Sequence, residues 1–157
     1  MIHNRTLNTV TTEASPGRYH AVLLDMGYTL VYFDPPQEAV VQAALRTIGA
    51  ERSVDQILAA VQVVWGRYYH DAETHTFPAT EDHDRETQRQ LETGLLGELG
   101  LESDRKTWQA FSNAMNDSFG QPGAIRPYPE ATEVLDALRE QGYRLGIISN
   151  WSWNLQD

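Results

Sequence analysis

Residues 23–34, with the sequence LLDMGYTLVYFD, decide the fold, because an apolar run ends there in a single aspartate, Asp25. The run from Tyr19 to Leu24 is nearly continuously apolar and is too short for a helix of ordinary length. Such a run is typical of a strand that is buried on both faces of a parallel sheet. We therefore predict a buried strand that holds Asp25 at its carboxyl end.

A second apolar run lies far downstream in the chain. Residues 143–148 follow a helical pattern, predict another buried strand, and lead to Ser149 and Asn150. Open α/β sheets bind ligands at the carboxyl ends of their strands. We therefore expect Asp25, Thr29, Ser149 and Asn150 to meet at one edge of a parallel sheet.

The segment between the two strands has helical periodicity. Apolar residues recur there at spacings of three and four, and Ser53 with Gln56 forms a capping-box pattern before the second helix. A polar stretch, 70–84, contains a proline and predicts a loop. The fourth helix is predicted to start at Ser103, and a fifth, after the insertion, contains Pro129 in its first turn.

These elements define an α/β fold with a Rossmann-like parallel-sheet core, of which two strands are present, and an inserted all-helical cap. The predicted division is a flexible leader at 1–17, a core at 18–34 and 124–157, and a cap at 35–123. The leader has few large apolar side chains and ends in a Pro-Gly pair, so it cannot support a core of its own.

The composition excludes several classes of function. The formal charge is −10, from 22 acidic and 12 basic residues, and the basic residues form no block. Nucleic acid is therefore not expected as a partner, because binding to its phosphates needs many cationic contacts. No apolar run reaches about 18 residues, so no membrane span is expected. Cysteine is absent, which excludes thiolate chemistry, and the N-terminus lacks a signal-peptide pattern, so we expect a cytoplasmic protein.

The two strand ends carry motifs of a known superfamily. The segment DMGYTL contains Asp25, Gly27 two positions on, Thr29 four positions on, and then Leu30; the segment LGIISNW places Ser149 after the second strand. With a helical insertion between them, these motifs resemble the haloacid dehalogenase superfamily of hydrolases. The branch that the chain resembles has its helical cap inserted after the first strand.

The resemblance implies a magnesium-dependent phosphatase that acts on a small phosphorylated metabolite. Asp25 is implied as the nucleophile, which forms an acyl-phosphate that water cleaves. Mg²⁺ is implied to bridge the Asp25 carboxylate, the backbone carbonyl of Gly27 and a phosphate oxygen of the substrate. Ser149 and Asn150 are implied to bind the phosphoryl group, and Thr29 to support the loop on the substrate side.

Gly27 departs from the family pattern. The family's phosphatases usually carry a second aspartate at this position, which protonates the leaving group and activates water. General acid–base catalysis contributes about 10²–10⁴ in rate, so slow turnover of an alkyl phosphate is expected. Tyr28 and Asp34 are candidates to replace that aspartate. Because the dehalogenases proper also lack it, a metal-independent dehalogenase that uses Asp25 is the first alternative.

The resemblance also implies a lysine and one or two acids downstream of Ser149. The only lysine is Lys106, inside the helical segment, and the only acid after Ser149 is Asp157. We therefore expect a truncated chain that is inactive alone, or one half of a site that another chain completes. An uncovered sheet edge also favours self-association. The second alternative is a non-catalytic domain or fragment that acts by binding a partner.

Two further groups of residues each have two interpretations. Three histidines interleaved with acids form either a metal site or a polar loop, and their spacing does not place two ligands on one helix face. These histidines are His70, His75 and His83. Three aromatic residues at helical spacing form either part of a core or a surface that closes over a substrate. They are Trp65, Tyr68 and Tyr69.

Overall fold

The computed structural model describes residues 19–74 and 78–149, and for residues 72–74 it describes the backbone alone. The elements, in chain order, are β1 (Ala21–Leu24), β2 (Val31–Phe33), α1 (Gln37–Thr47), α2 (Val54–Thr74), α3 (Glu81–Glu98), α4 (Arg105–Phe119), β3 (Ile125–Pro127), α5 (Ala131–Glu140) and β4 (Arg144–Ile147). The predicted leader, 1–17, and the end of the chain from residue 150 lie outside the described residues. None of the described helices is long and apolar enough to cross a membrane.

The two predicted strands pair in parallel, as an α/β fold requires. β1 and β4 are neighbours, with Ala21 opposite Arg144 and Leu24 opposite Ile147. The backbone N–H of Ile148 extends the pairing by donating to the Leu24 carbonyl at 3.0 Å. The predicted α/β fold class with a small parallel sheet is therefore confirmed, and the strand ends reach the same edge.

The prediction that both strands are buried on two faces is wrong for the described residues. The side chains of Leu23 and Ile148 are 64% and 66% exposed, and Ile147 is also exposed. Side chains alternate between the faces of a strand, so Leu23 and Ile148 lie on one face together with Gly146. Only a two-stranded sheet with α5 packed against β4 is described, which is too little structure to cover these apolar side chains.

The helical segment between β2 and β3 has a hydrophobic core of its own. α1 packs against α4 and α2, α2 also packs against α3, and α3 packs against α4. The amphipathic pattern of each helix buries its apolar stripe in this bundle. The largest fully buried side chains are Phe111, Leu45, Ile57, Leu96 and Val41. The prediction of four consecutive helices is confirmed, and we call them the helical block.

Polar side chains begin these helices. The predicted capping box of α2 is present, because the Ser53 N–H donates to Gln56 Oε1 at 2.9 Å and the Gln56 N–H donates to Ser53 Oγ at 3.3 Å. α4 begins slightly later than predicted from Ser103. Its cap is Asp104, whose carboxylate accepts from the backbone N–H groups of Lys106 and Thr107.

The polar stretch 70–84 is mostly helical in its described residues, 70–74 and 78–84, so the prediction of a loop there is wrong. α2 continues to Thr74, and α3 starts at Glu81 after the N-cap Thr80. The Thr80 side chain accepts from the His83 N–H, and acidic residues fill the first turn of α3. Carboxylates at this end are stabilised by the helix dipole. Hydrophobic periodicity does not detect helix turns that are stabilised in this way.

An antiparallel pair of short strands, β2 and β3, was not predicted. Val31 lies opposite Pro127 and Phe33 opposite Ile125, so the two ends of the helical block are brought side by side. Arg126 and Asp34 form an ion pair at 3.1 Å next to this pair of strands. The pair lies beside the predicted cap boundaries of 35 and 123, and the division into core and cap stays a prediction.

Candidate active site

Asp25 and Ser149 meet at the carboxyl edge of the parallel sheet. Each follows a strand directly, and the parallel register places the two strand ends side by side. The Ser149 hydroxyl donates to Asp25 Oδ1 at 2.8 Å. Asp25 is exposed and Ser149 is half-buried at this edge, so a ligand can reach the carboxylate.

A tight turn after Asp25 returns the chain toward the carboxylate. The N–H groups of Leu30 and Val31 both donate to the Met26 carbonyl, at 2.9 and 3.1 Å. This turn brings the Thr29 hydroxyl to Asp25 Oδ2 at 3.5 Å, a long hydrogen bond. Thr29 therefore supports the turn and the second carboxylate oxygen, while Ser149 holds the first.

Hydrogen bonds hold the pKa of Asp25 below its ordinary value. The largest contribution is the Ser149 hydroxyl, followed by the Met26 backbone, and the Thr29 hydroxyl contributes least. Each of these donors stabilises the ionised form of the carboxylate. At neutral pH Asp25 therefore carries the negative charge that a nucleophilic carboxylate needs.

Tyr28 has an unusual backbone conformation within the turn. Its φ is 57°, and it is the non-glycine residue with a positive φ in the described part of the chain. Its N–H donates to the Val31 carbonyl at 2.7 Å. Its ring contacts the Phe33 ring edge-on at a centroid distance of 5.5 Å, and its hydroxyl donates to Gln37 Oε1 at 3.4 Å. Tyr28 therefore connects the turn to the start of the helical block.

The two candidates for the missing acid have partners of their own. Burial is the largest cause that raises the pKa of Tyr28, and the charge of Glu38 is the second. The Tyr28 hydroxyl donates to Gln37. Asp34 pairs with Arg126 at 3.1 Å and thereby joins β2 to β3. These contacts give both residues structural roles, and their replacement of the aspartate stays a prediction.

The oxygen donors near Asp25 suit Mg²⁺. Mg²⁺ binds proteins through one or two carboxylates and completes its shell with water and substrate phosphate. The Asp25 carboxylate is exposed. The Gly27 carbonyl belongs to the peptide whose N–H, that of Tyr28, points at Val31. Since a trans peptide directs its C=O opposite to its N–H, this carbonyl points away from Val31. Asp25 is thus a ligand of the kind that Mg²⁺ uses, and its binding of the ion together with the Gly27 carbonyl stays a prediction.

The remaining candidates do not join this edge in the part of the chain that the structure describes. Asn150 and Asp157 lie outside the described residues, and Lys106 lies at the start of α4. His70 and His83 lie on α2 and α3, and His75 is not described. Among the described side chains, 19–71 and 78–149, no group of three His, Asp or Glu residues could hold a metal ion.

The aromatic residues of α2 form a cluster on the helical block. Trp65 stacks on Tyr69 at a centroid distance of 5.6 Å and meets Tyr68 edge-on at 5.5 Å. Tyr69 is exposed and the other two are half-buried, so the interpretation as core is wrong for Tyr69. Burial, the largest contribution, raises the pKa of Tyr68. A role of this cluster in closing over a substrate stays a prediction.

Comparison with known proteins supports the fold. The chain is similar to the crystal structure of a predicted phosphoglycolate phosphatase from Haemophilus somnus 129PT, with 18% sequence identity and a TM-score of 0.51. The match covers 85% of this chain and 53% of that one, so the chain spans about half the length of that protein. No protein-family model and no curated protein sequence matches the chain.

At this identity the likeness concerns the fold alone. It shows a mixed α/β fold similar to that of this predicted phosphatase, in agreement with the predicted α/β fold class. The roles of individual residues rest on the geometry of the sheet edge. A signal for the β2–β3 pair was present in the β-branched and aromatic residues 31–33, but its three-residue length gave no clear alternation.

Proposed function

We propose that the chain is a haloacid dehalogenase-like, magnesium-dependent phosphatase that acts on a small phosphorylated metabolite through Asp25 as its nucleophile. The observation that supports this most is the 2.8 Å hydrogen bond between Ser149 Oγ and Asp25 Oδ1. It places an ionised carboxylate and a hydroxyl together at the sheet edge where α/β proteins bind ligands. The neighbour of similar fold is itself described as a predicted phosphatase.

The proposed reaction has two displacements at phosphorus. An oxygen of the Asp25 carboxylate attacks the phosphoryl group and forms a P–O bond, while the ester P–O bond breaks and its electron pair leaves with the alcohol oxygen. The alkoxide takes a proton from solvent water. A water molecule then attacks phosphorus and gives its proton to the solvent, while the P–O bond to Asp25 breaks and releases inorganic phosphate and the free carboxylate. The Ser149 hydroxyl, and Asn150 as predicted from the sequence, bind the phosphoryl oxygens.

Asp25 and the Gly27 carbonyl would hold Mg²⁺. When bound, this ion supplies positive charge that neutralises the phosphate oxygens and lowers the repulsion between the two anions. That help matters in this chain, because its formal charge is −10 and repels an anionic substrate. The carboxylate of Asp25 is held ionised by its hydrogen bonds and is available both to the metal and to phosphorus.

Gly27 determines which phosphate esters the site can cleave. A glycine has no proton to donate to the leaving oxygen, so esters of alcohols with a high pKa are expected to react slowly. An aryl phosphate with an acidic phenol needs little protonation and is the appropriate first substrate. Phosphate release from such an ester, with and without Mg²⁺, tests the proposal directly.

The decisive variant is Asp25→Asn, which keeps the size of the side chain and removes its nucleophilic charge. Asp104→Asn is the matched control, because asparagine also caps a helix and Asp104 lies at the start of α4. Magnesium-dependent release that disappears only in Asp25→Asn supports the function. Release that survives in Asp25→Asn, or that never exceeds the buffer rate in the unaltered chain, contradicts it for this chain.

Gly27 also favours a second candidate, a metal-independent dehalogenase. There the Asp25 carboxylate would attack the carbon that bears a halogen, halide would leave with the bonding electrons, and water would hydrolyse the resulting ester. Halide is a good leaving group without protonation, so no second aspartate is required. Halide release from a small 2-haloacid in the absence of Mg²⁺, lost in Asp25→Asn, would favour this reaction over phosphate transfer.

The sheet face supports a proposal about partners. Leu23 and Ile148 are exposed apolar side chains on one face of a sheet with two described strands. Such a face is expected to bind a further copy of the chain or a completing chain. If neither reaction is detected, a non-catalytic domain that binds through this face becomes the remaining proposal. The cytoplasm is the compartment that the sequence predicts.

A further inference from the structure

The direction of the Gly27 carbonyl depends on the backbone of the next residue. The φ angle of Tyr28 describes rotation about its N–Cα bond and therefore turns the whole peptide that contains the Gly27 C=O. With φ at 57°, the N–H of this peptide donates to the Val31 carbonyl at 2.7 Å. With the negative φ that a tyrosine prefers, the same peptide would turn and lose that bond.

A left-handed φ is rare for a bulky side chain, so other contacts must maintain it. The Tyr28 ring packs edge-on against Phe33, which itself contacts Phe119 on α4 at a centroid distance of 5.2 Å. The Tyr28 hydroxyl donates to Gln37 at the first position of α1. Tyr28 is thus anchored to β2 and to the start of α1, and it reaches α4 only through Phe33, although the residue is 58% exposed.

We propose that Tyr28 is a positioning residue whose side-chain anchors on Phe33 and Gln37 keep its backbone left-handed and thereby orient the Gly27 carbonyl toward the site. This inference rests on the proposed function, because it gives the oriented carbonyl the role of a Mg²⁺ ligand. It also makes the turn after Asp25 dependent on the helical block.

Three substitutions separate the ring, the hydroxyl and the backbone conformation. Tyr28→Phe keeps the ring contact with Phe33 and loses the long hydrogen bond to Gln37. Tyr28→Ala loses both anchors and retains the penalty of a Cβ atom at positive φ, whereas Tyr28→Gly loses both anchors but tolerates the conformation. Tyr69→Ala, which removes an exposed tyrosine from α2, is the matched control.

The primary measurement is amide hydrogen exchange at residue 28 in the full chain by NMR, which requires neither metal nor turnover. We expect Tyr28→Ala to lower the protection of this amide by about tenfold, since a strained conformation without anchors opens readily. Tyr28→Gly should lower it less, and Tyr28→Phe should remain within about twofold of the original chain. Tyr69→Ala should leave it unchanged. Amides of α1–α4 report whether each variant is folded.

The second measurement is calorimetric titration with Mg²⁺. We expect the affinity to fall in the same order, with Phe closest to the original chain, then Gly, then Ala, and to disappear in Asp25→Asn. Unchanged protection at residue 28 in Tyr28→Ala would overturn the positioning role, whatever the metal does. If the original chain binds no Mg²⁺, the metal part of the proposed function fails, and the order of protection alone decides the role of Tyr28.

Discussion

Ser149 Oγ lies 2.8 Å from Asp25 Oδ1, although 124 positions separate the two residues in the chain. The contact exists because β1 and β4 pair in parallel and end at the same edge. A hydroxyl that donates to a carboxylate stabilises its charge, and in the proposed reaction the same hydroxyl would donate to a phosphoryl oxygen of the substrate. The pair therefore links the ionisation of Asp25 to ligand binding.

Ser149→Ala should move the acid limb of the pH–rate profile to higher pH. The Ser149 hydroxyl contributes most to the lowered pKa of Asp25, so its removal raises that pKa toward the ordinary value. The carboxylate is then protonated earlier as the pH falls, and kcat/KM declines at a higher pH than in the original chain. Thr29→Val is the control, because its hydroxyl contributes least. Equal shifts in both variants would contradict the assignment.

Asp25→Asn should prevent formation of a covalent intermediate. The proposed acyl-phosphate exists only if an oxygen of Asp25 attacks phosphorus, so acid quenching of the original chain with an aryl phosphate should trap a phosphoryl group on this residue. Peptide mass spectrometry locates the modification. A phosphoryl group on another residue, or an unmodified chain during active turnover, would show that Asp25 is not the nucleophile.

Glu92→Ala should lower the free energy of unfolding of the helical block by about 1–3 kcal/mol. Glu92 is buried on α3, where its oxygens accept from Trp108 Nε1 at 2.8 Å and from Gln88 Nε2 at 3.0 Å. Removing the acceptor leaves both donors without this partner. Urea denaturation followed by circular dichroism measures the change.

Glu92→Gln is the matched control for that measurement. Its amide oxygen can still accept from Trp108, so the loss of stability should be smaller than in Glu92→Ala. An equal loss in the two variants would mean that the carboxylate charge accounts for the stability at this position, because glutamine keeps both the packing and an acceptor for Trp108.

Leu23→Lys should reduce self-association without unfolding the chain. The Leu23 side chain is 64% exposed on the uncovered face of the sheet, so the substitution should change the free energy of unfolding by no more than about 0.5 kcal/mol. A lysine on an exposed strand opposes association. Sedimentation velocity over a range of concentrations measures the effect.

Leu58→Lys provides the comparison, because Leu58 is an exposed leucine on α2. This change should leave the association of the chain unaltered. If both lysine variants dissociate the chain equally, net charge and not the sheet face explains the effect. If neither does, the face is not the surface through which copies of the chain associate.

The sequence predicted those parts of the fold that have a strong local signal. Hydrophobic periodicity identified the helices, and the Ser53 and Gln56 pair marked the start of α2 correctly. β2 and β3 were missed because each has three residues and Pro127 argues against a strand. The polar helix turns in 70–84 were missed because capping and charge, not apolar spacing, stabilise them.

Burial and the details of the site depend on contacts that local patterns do not contain. An apolar run such as Leu23 and its neighbours indicates a strand, but its coverage depends on which other elements pack against the sheet. The motif around Asp25 indicated the edge at which Ser149 is found. It gave no sign of the left-handed Tyr28 or of its contact with Gln37, because backbone conformation at one residue is set by tertiary neighbours.

The β2–β3 pair has a consequence for the order in which the chain folds. Pairing β1 with β4 directly would close a loop of more than a hundred residues, with an entropy penalty that grows with the logarithm of loop length. Once α1–α4 have formed through contacts close in sequence, β2 and β3 hold the ends of that loop together. The remaining closure spans only the short segments on either side. We therefore expect the helices to form first, and the Asp25 carboxylate and the Ser149 hydroxyl to come into contact in the last step of folding.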